Sequence, residues 1–248
     1  MSTILVTGAT GTLGTPTVTQ LRAAGHEVRA FSRKNAAGLT IGDLLTGEGL
    51  ADAMAGVDTA IHLSTGKRDV AQARAIIEAS RMSGIAHFIL ISIVGIEDIP
   101  LGYYKNKIEI ERLLVESRLP QTILRATQFH EFVDMVFSAQ KSLPVVFAPA
   151  FSFQPIAVGE VAARLVELAG ADAAGRVPDI GGPEQRTTLD LGKAWKRASG
   201  TRRPHWTLSL PGKTMAGYAA GHNLVPGPAY GTGTFDQYLA EKYGAATE

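Results

Sequence analysis

Short apolar segments alternate with longer segments of helical period over the first two-thirds of the chain. The apolar segments are continuous rather than alternating in polarity, which is typical of parallel strands covered by helices on both faces. The pattern therefore predicts an α/β protein with a doubly wound parallel sheet. The predicted strands are residues 3–7, 27–32, 57–63, 87–92, 121–125 and 177–180, and the predicted helices are residues 13–24, 69–83, 103–117 and 158–169.

Beyond about Gly181 the alternation loosens, and Pro, Gly and aromatic residues intermix. Trp206, Tyr218 and Tyr230 are spaced irregularly there, as side chains that line a cleft would be. They would serve equally well as the core of a small C-terminal region, and the sequence leaves both interpretations open.

The length and the charge narrow the function classes. The chain has 248 residues, with 24 Lys and Arg against 23 Asp and Glu, and it contains no Cys. Balanced charge argues against nonspecific nucleic-acid binding, and the absence of Cys excludes disulfides and thiolate metal sites. The six histidines show no metal-binding spacing. No apolar run approaches the roughly 20 residues of a membrane helix, and the first residues do not resemble a signal peptide. We expect a soluble, cytoplasmic protein without a metal, a membrane or a nucleic-acid partner.

The first predicted strand leads directly into Gly8-Ala9-Thr10-Gly11-Thr12-Leu13-Gly14. This is a G-x-x-G-x-x-G variant of the dinucleotide-binding fingerprint, placed between a strand and a helix as the fingerprint requires. The free N–H groups of the helix start and its positive dipole end suit a pyrophosphate. We therefore expect Gly8, Thr10, Gly11, Thr12, Leu13 and Gly14 to bind a cofactor. The alternative is a glycine-rich turn without a ligand.

The end of the second predicted strand indicates which dinucleotide is bound. Ser32, Arg33 and Lys34 stand where an acidic residue would contact the ribose 2′-hydroxyl of NAD. A guanidinium beside an ammonium and a hydroxyl suits a 2′-phosphate instead. This predicts NADP(H), unless Arg33 and Lys34 are part of an ordinary solvated loop.

Gly42-Asp43-Leu44 follows a short apolar segment. Asp43 would accept a hydrogen bond from an adenine amino group, with Leu44 beside it. It would equally cap a helix that starts near Leu45. The sequence does not decide between these roles.

The order of these motifs resembles the NmrA-like, atypical branch of the short-chain dehydrogenase/reductase superfamily. VTGATGTLG, the arginine after the second strand, GDL, HLSTG and YYKNK follow one another, and the resemblance covers nearly the whole chain. It implies a Rossmann fold that binds NADP(H) and a small C-terminal substrate-binding region. We therefore expect an NAD(P)-binding domain over residues 1–150, and a mixed region over residues 151–248 that completes the sheet and contacts the substrate.

The resemblance also points to catalytic residues, because short-chain dehydrogenases use a Tyr-x-x-x-Lys pair. Tyr103 and Lys107 match it, and positions four apart share one helix face. A nearby ammonium would lower the tyrosine pKa and ready it for proton transfer. Ser92 matches the third member, which donates to a developing oxyanion. Tyr104 competes for the phenol role. Alternatively, Tyr103 only packs at a helix start and Lys107 is one more surface charge.

Further contacts are implied by the resemblance alone. Leu63, Ser64 and Gly66 would lie along the adenosine and ribose, Lys107 would bind the nicotinamide ribose, and Thr127 would lie near the nicotinamide. Substrate contacts would come from Gln128, Phe129 and His130. The alternative for this last segment is an ordinary helix start, and His62 is best interpreted as a packed strand residue.

These inferences predict an NADPH-dependent oxidoreductase that transfers hydride to a small apolar carbonyl or quinone-like substrate. The alternative is an NADP(H)-sensing regulatory protein with little or no catalysis, because the resembling family includes both. A homodimer is the assembly to consider, since apolar helices in this superfamily often pair.

Overall fold

The computed structural model describes residues 1–66 and 68–244, which form two compact units. The first, called the sheet unit below, comprises Met1–Ser92, Gly102–Arg125 and Val161–Pro178. The second, called the mixed unit, comprises Ile93–Leu101, Ala126–Glu160 and Asp179–Glu248. Both units draw on segments from either side of residue 150, so a functional boundary there stays a prediction. Residues 245–248 of the predicted C-terminal region lie outside the described residues.

The secondary structure follows the predicted alternation. The strands are β1 (Thr3–Thr7), β2 (Glu27–Ser32), β3 (Thr40–Ile41), β4 (Thr59–His62), β5 (His87–Ile93), β6 (Gln121–Ala126), β7 (Val146–Pro149), β8 (Ser152–Phe153), β9 (Gly175–Arg176), β10 (Arg186–Thr187) and β11 (His205–Leu208). The helices are α1 (Gly14–Ala23), α2 (Leu50–Met54), α3 (Asp69–Ser83), α4 (Gly102–Glu116), α5 (His130–Ser138), α6 (Val158–Ala169), α7 (Thr188–Ser199), α8 (Lys213–Ala219) and α9 (Phe235–Gly244).

Seven strands among the described residues form one sheet in the order β3-β2-β1-β4-β5-β6-β9. The pairs β1–β2, β1–β4, β2–β3, β4–β5 and β6–β9 all run parallel. Strands β2 and β3 lie on one side of β1, and β4, β5, β6 and β9 lie on the other. The predicted doubly wound, Rossmann-like fold is confirmed, and its switch point lies at the carboxyl ends of β1 and β4.

Helices α3 and α4 cover the sheet with apolar faces. One buried cluster contains Leu5 of β1, Ala73 and Ile76 of α3, and Ile110 and Leu114 of α4. Burying such side chains contributes about 1.5–3 kcal/mol each. This packing keeps the carboxyl ends of the strands and the first turns of α3 and α4 in place.

Two predicted element boundaries were wrong. The strand predicted at residues 177–180 is β9 at Gly175–Arg176 instead, because Pro178 has no N–H to donate to a ladder. No helix starts near Leu45: α2 begins at Leu50, directly after Gly49 in the left-handed conformation (φ 67°). The glycine-rich turn before Leu50 therefore holds the chain out of helical geometry.

The mixed unit has its own aromatic core. Phe137 of α5 packs against Trp195 of α7 with ring centroids 5.9 Å apart. Tyr218 is buried and stacks on Phe151 at 4.8 Å, so it belongs to this core. Trp206 is 61% exposed. Across the part of the chain that the structure describes, no helix combines the length and apolarity needed to cross a bilayer.

Candidate nucleotide cleft and the residues around it

A cleft of about 450 Å³ lies within the sheet unit at the switch point. It is bordered by the loops that follow β1, β2 and β4, where a doubly wound sheet binds its ligands. The predicted cofactor contacts that line it are Gly8, Thr10, Gly11, Ser32, Arg33, Lys34, Asp43, Leu44, Leu63 and Ser64. Motifs far apart in the sequence therefore meet in one cavity.

The glycine turn after β1 is shaped by close backbone packing. Gly8 has φ +67°, and a Cβ there would lie 2.7 Å from the backbone nitrogen of Ser64. A Cβ at Gly14 would overlap the carbonyl oxygen of Gly8. The Gly11 N–H donates to the Gly8 carbonyl at 2.9 Å, which closes the turn. The residues of this turn therefore fit a dinucleotide, because they leave bare backbone where a pyrophosphate needs to approach.

Gly8→Ala is expected to destabilise the fold and to weaken cofactor binding. Both effects should exceed those of an alanine that is strained only by its positive φ. Gly56→Ala is the matched control, because Gly56 has φ +68° and open space around its Cβ position. We expect the control to lose about 1 kcal/mol, and Gly8→Ala to lose about 1–3 kcal/mol more from the clash. Urea unfolding and NADPH titration of both variants measure the difference. Equal losses would contradict the close-approach role of Gly8.

The loop after β2 brings two cations to the cleft. Arg33 and Lys34 are exposed, and both line the cavity. The Ser32 hydroxyl oxygen accepts a hydrogen bond from the Lys34 N–H at 3.1 Å, which bends the loop. This side of the cleft offers positive charge.

The Asp43 side chain stabilises the turn that follows β3. Its carboxylate accepts a hydrogen bond from the Leu45 N–H at 2.8 Å. The predicted helix cap was wrong, because this bond closes a turn five residues before α2 begins at Leu50. Asp43 also lines the cleft, so its predicted adenine contact stays a prediction.

Several predicted cofactor residues lie elsewhere. The start of α1 contains Thr12, Leu13 and Gly14, and the exposed loop after β4 contains Gly66. None of these four residues is among the described residues that line the cleft. Thr127 belongs to the mixed unit, where its buried hydroxyl donates to the Gln154 carbonyl at 2.5 Å. The cofactor role of these residues is untested by the geometry and stays a prediction.

The structure adds four cleft residues that the motifs did not single out. They are Phe31, Gly42, Thr65 and Gln72. Gly42 and Thr65 lie inside the GDL and HLSTG motifs, so the motifs carried a signal for them. No sequence motif marked Gln72. It reaches the cleft because the folded helix α3 places its side chain where it accepts a hydrogen bond from the Ser64 hydroxyl at 2.7 Å.

Tyr103 lies in the first turn of α4 and meets the loop after β4. Its hydroxyl oxygen is 2.6 Å from the Thr65 hydroxyl oxygen. Thr65 lines the cleft, so the Tyr103 phenol adjoins the same cavity as the glycine turn. Tyr104 is only 4% exposed, whereas Tyr103 is 36% exposed. Tyr103 is the more accessible of the two phenols.

Lys107 is buried one turn further along α4. Its Nζ lies 5.7 Å from the centroid of the Tyr103 ring. Burial lowers the pKa of Lys107, while the charges of Asp69 and Glu111 act to raise it. The prediction that the ammonium lowers the pKa of Tyr103 is wrong. Burial raises the Tyr103 pKa, with Asp69 and Tyr104 adding to the rise and the Thr65 hydrogen bond opposing it.

Ser92 and His62 are the other polar groups near the carboxyl ends of β4 and β5. Both are buried, and the Ser92 hydroxyl has no hydrogen-bond partner among the described residues. His62 shares a 2.8 Å hydrogen bond with the Thr7 hydroxyl. Burial and the charge of Lys107 lower the His62 pKa to about 3, so this imidazole stays neutral. This environment fits a packed strand residue.

The predicted substrate residues form the start of α5 in the mixed unit. Phe129 is the N-cap residue and His130 the first helical residue, as the helix-start alternative had it. Gln128 is buried, and its carbonyl oxygen lies 3.5 Å from the Asn223 amide nitrogen. His130 lies 3.2 Å from the Pro155 carbonyl and packs on Phe235. Substrate contact by Gln128, Phe129 and His130 stays a prediction.

Comparison with known proteins assigns the chain to a family. Residues 8–133, more than half of its length, match a family described as NAD(P)H-binding. The chain belongs to the NAD(P)H-binding family. The predicted nicotinamide cofactor is thereby confirmed at the level of NAD(P)H. Within the described residues, no group of three or more His, Asp or Glu side chains is arranged to hold a metal ion.

Relatives of this NAD(P)H-binding chain have different described roles. Quinone oxidoreductase 2 of Escherichia coli K12 is 26% identical over 226 residues, which cover 83% of this chain and 78% of that protein. The photosystem II assembly factor Ycf39 of Trieres chinensis is 30% identical over 149 residues, 52% of this chain and 46% of that factor. The chain thus spans about half the length of the assembly factors it matches.

Solved structures share the fold of this NAD(P)H-binding chain. The NADPH complex of the Escherichia coli NADPH-dependent quinone oxidoreductase superposes with a TM-score of 0.83 at 21% identity, covering 97% of this chain and 99% of that one. A nucleoside-diphosphate-sugar epimerase from Staphylococcus aureus superposes with a TM-score of 0.78 at 17% identity, covering 96% and 99%. These likenesses establish the architecture.

Proposed function

We propose that this NAD(P)H-binding protein is an NADPH-dependent oxidoreductase of the NmrA-like branch of the short-chain dehydrogenases. It would reduce a small apolar carbonyl or quinone-like compound. One observation carries the proposal: the Tyr103 hydroxyl is 2.6 Å from Thr65, which lines the cleft together with Gly8 and Gly11. A proton donor thus adjoins the dinucleotide cleft.

Each side of the cleft has residues suited to one part of the cofactor. The Gly8–Gly11 turn would hold the pyrophosphate with backbone N–H groups. Arg33, Lys34 and Ser32 would hold a ribose 2′-phosphate with a guanidinium, an ammonium and a hydroxyl. When bound, the cofactor supplies the hydride.

The proton chemistry falls to residues of the chain itself. A tyrosine is protonated at neutral pH, and burial raises the pKa of Tyr103 further, so its phenol carries the proton and would act as a general acid. The buried Lys107 would orient the phenol and the cofactor. The Ser92 hydroxyl, which lacks a partner among the described residues, would donate to the substrate oxygen.

The similarity to a quinone oxidoreductase supports hydride transfer over sensing. A cofactor-sensing regulator would use the same cleft, and a lost tyrosine or lysine would be its distinguishing mark. Tyr103 and Lys107 are both present, with the Lys107 ammonium over the Tyr103 ring. Their arrangement favours a catalytic role over cofactor sensing.

The direct test is NADPH oxidation by the purified protein against a panel of quinones, enones and ketones. We expect turnover with at least one quinone or apolar carbonyl, and its loss in Tyr103→Phe. NADPH binding without oxidation of any panel member would overturn the proposal in favour of sensing.

Arg33→Ala is expected to raise the Kd for NADPH about 10- to 100-fold while the Kd for NADH changes little. Loss of charge-assisted hydrogen bonds to a 2′-phosphate costs about 1.5–3 kcal/mol, and NADH lacks that phosphate. Calorimetric titration with both cofactors measures the two constants. Arg81→Ala, at an exposed Arg81–Glu78 pair of α3 outside the cleft, serves as the control. Equal losses for NADPH and NADH would refute the assignment.

A further inference from the structure

Three side-chain oxygens form a connected line from the cleft into the interior of the sheet unit. The Tyr103 hydroxyl lies 2.6 Å from Thr65 Oγ1, and Thr65 Oγ1 donates to Asp69 Oδ2 at 3.2 Å. Thr65 is in the loop after β4, and Asp69 is the first residue of α3. The line runs from an exposed phenol to a carboxyl group that is fully buried.

The direction of the hydrogen bonds follows from counting protons. A threonine hydroxyl has one proton to donate, and an ionised carboxylate only accepts. Since Thr65 donates to Asp69, the Tyr103 hydroxyl must donate to Thr65. When Asp69 is protonated, the same line can run in reverse, from Asp69 through Thr65 to Tyr103.

The surroundings of Asp69 fit a group that exchanges a proton. Burial raises its pKa, while the Lys107 ammonium, the Thr65 hydroxyl and the Gly66 backbone act to lower it. Lys107 and Tyr103 face it from α4, and Glu111 acts on Lys107 from the same helix. Burying a carboxylate costs free energy unless the charge is paired or hydrogen-bonded, and buried groups with shifted pKa values cluster at functional sites.

We propose that Thr65 and Asp69 form a proton relay that reprotonates Tyr103 after it has donated to the substrate. The inference deepens the proposed function and rests on it for the substrate step. Thr65 and Asp69 act through Tyr103, so both are positioning residues, and of these three residues only Tyr103 touches the substrate.

The step balances without any further reactant. The Tyr103 hydroxyl gives its proton to the oxyanion of the reduced carbonyl or quinone and becomes a phenolate. Thr65 then passes its hydroxyl proton to the phenolate and takes the carboxyl proton of Asp69. The result is a neutral Tyr103, a neutral Thr65 and an Asp69 carboxylate, whose charge lies near the Lys107 ammonium. Asp69 then regains a proton from solvent through Thr65, which is exposed and bonded to it, before the next turnover.

Titration of Tyr103 tests the relay without cofactor or substrate. The protein is labelled with ¹³C at the tyrosine Cζ atoms, and the Tyr103 signal is identified by its loss in Tyr103→Phe. Asp69→Asn should lower the Tyr103 pKa, because the Asp69 charge raises it. Thr65→Val should raise the Tyr103 pKa, because the Thr65 hydrogen bond lowers it. Opposite shifts establish the hydrogen-bond line on which the relay depends, and an unchanged titration in both variants overturns the relay.

Kinetics test the proton delivery itself. Asp69→Asn and Thr65→Val should lower kcat of quinone reduction about 10- to 100-fold. Asp69 does not line the cleft, so the Kd of Asp69→Asn for NADPH should stay within about twofold of the wild type. Asp69→Asn should also change the pH profile of kcat, which a merely structural role would leave in place. Asp52→Asn on α2 and Thr19→Val on α1 are matched controls outside the relay.

The two proposals fail in different ways. If the wild type oxidises no NADPH with any substrate, the proposed function fails, and the Tyr103 titration still decides the hydrogen-bond line. If the wild type turns over but Asp69→Asn and Thr65→Val keep its kcat and pH profile, the relay is overturned and the oxidoreductase assignment stands.

Discussion

Lys107→Met is expected to lower kcat/KM of the proposed NADPH-dependent quinone reduction about 10²- to 10⁴-fold. Methionine keeps the length and the apolar stem of lysine but removes the buried ammonium. Lys107 is 4% exposed and lies over the Tyr103 ring, so water cannot readily replace its charge. The loss should appear in kcat as well as in KM, because we propose that the ammonium orients both the phenol and the cofactor.

The matched control is Lys105→Met, at an exposed position on the same helix. We expect it to keep wild-type kinetics. Circular dichroism of both variants establishes that α4 is intact. A Lys107→Met enzyme with more than half of the wild-type kcat/KM would show that the buried ammonium has no part in catalysis.

The same substitution should change two neighbouring groups. The Lys107 charge lowers the pKa of both His62 and Asp69. Both pKa values should therefore rise in Lys107→Met, which NMR titration of the imidazole and the carboxyl can follow. A rise at Asp69 would also show that the charge of Lys107 reaches the buried end of the proposed relay.

Asp134→Ala is expected to destabilise the mixed unit by about 3 kcal/mol, because it removes one partner of a buried charge network. The Asp134 carboxylate is 2% exposed and accepts hydrogen bonds from Trp195 Nε1 at 2.8 Å and the Tyr243 hydroxyl at 2.7 Å. It is also paired with the Lys242 ammonium. The Tyr238 hydroxyl donates to the same carboxylate at 3.4 Å. These contacts join α5, α7 and α9, and Ala would remove the acceptor that all four donors share.

Urea unfolding followed by tryptophan fluorescence measures this loss. Glu116→Ala is the control, because Glu116 forms an exposed pair with Arg112 on α4 and such pairs add little to stability. We expect the control to keep its urea midpoint. An Asp134→Ala midpoint equal to that of the wild type would show that the network is dispensable.

The Asp134 contribution should depend on pH in a defined direction. Burial acts to raise its pKa, but the hydrogen bonds and charge of Lys242, with Tyr243 and Trp195, bring the pKa below its ordinary value. A carboxyl with a lowered folded pKa stabilises the protein above its unfolded pKa of about 3.9 and loses that contribution as the pH falls through the folded pKa. The stability gap between wild type and Asp134→Ala should therefore close in acid.

Features set by neighbouring residues could be predicted from the sequence. Continuous apolar runs identify buried strands, and Gly8, Gly11 and Gly14 mark a turn that needs bare backbone. Arg33 follows directly from its place after the second strand. Tyr103 and Lys107 are four positions apart on one helix, so their shared face follows from helix geometry. In each case the feature follows from the physical properties of residues that are close together in the sequence.

The environments of the same side chains could not be predicted in this way. Tyr103 meets Thr65 across 38 positions of sequence, and Asp134 meets Lys242 across 108. The sequence motif led us to expect a lowered Tyr103 pKa, whereas burial together with Asp69 and Tyr104 raises it. A pKa depends on the desolvation and the charges around a group, and both are set by segments that only folding brings together. The chain's local pattern thus specifies which groups are available, and packing specifies how each of them ionises.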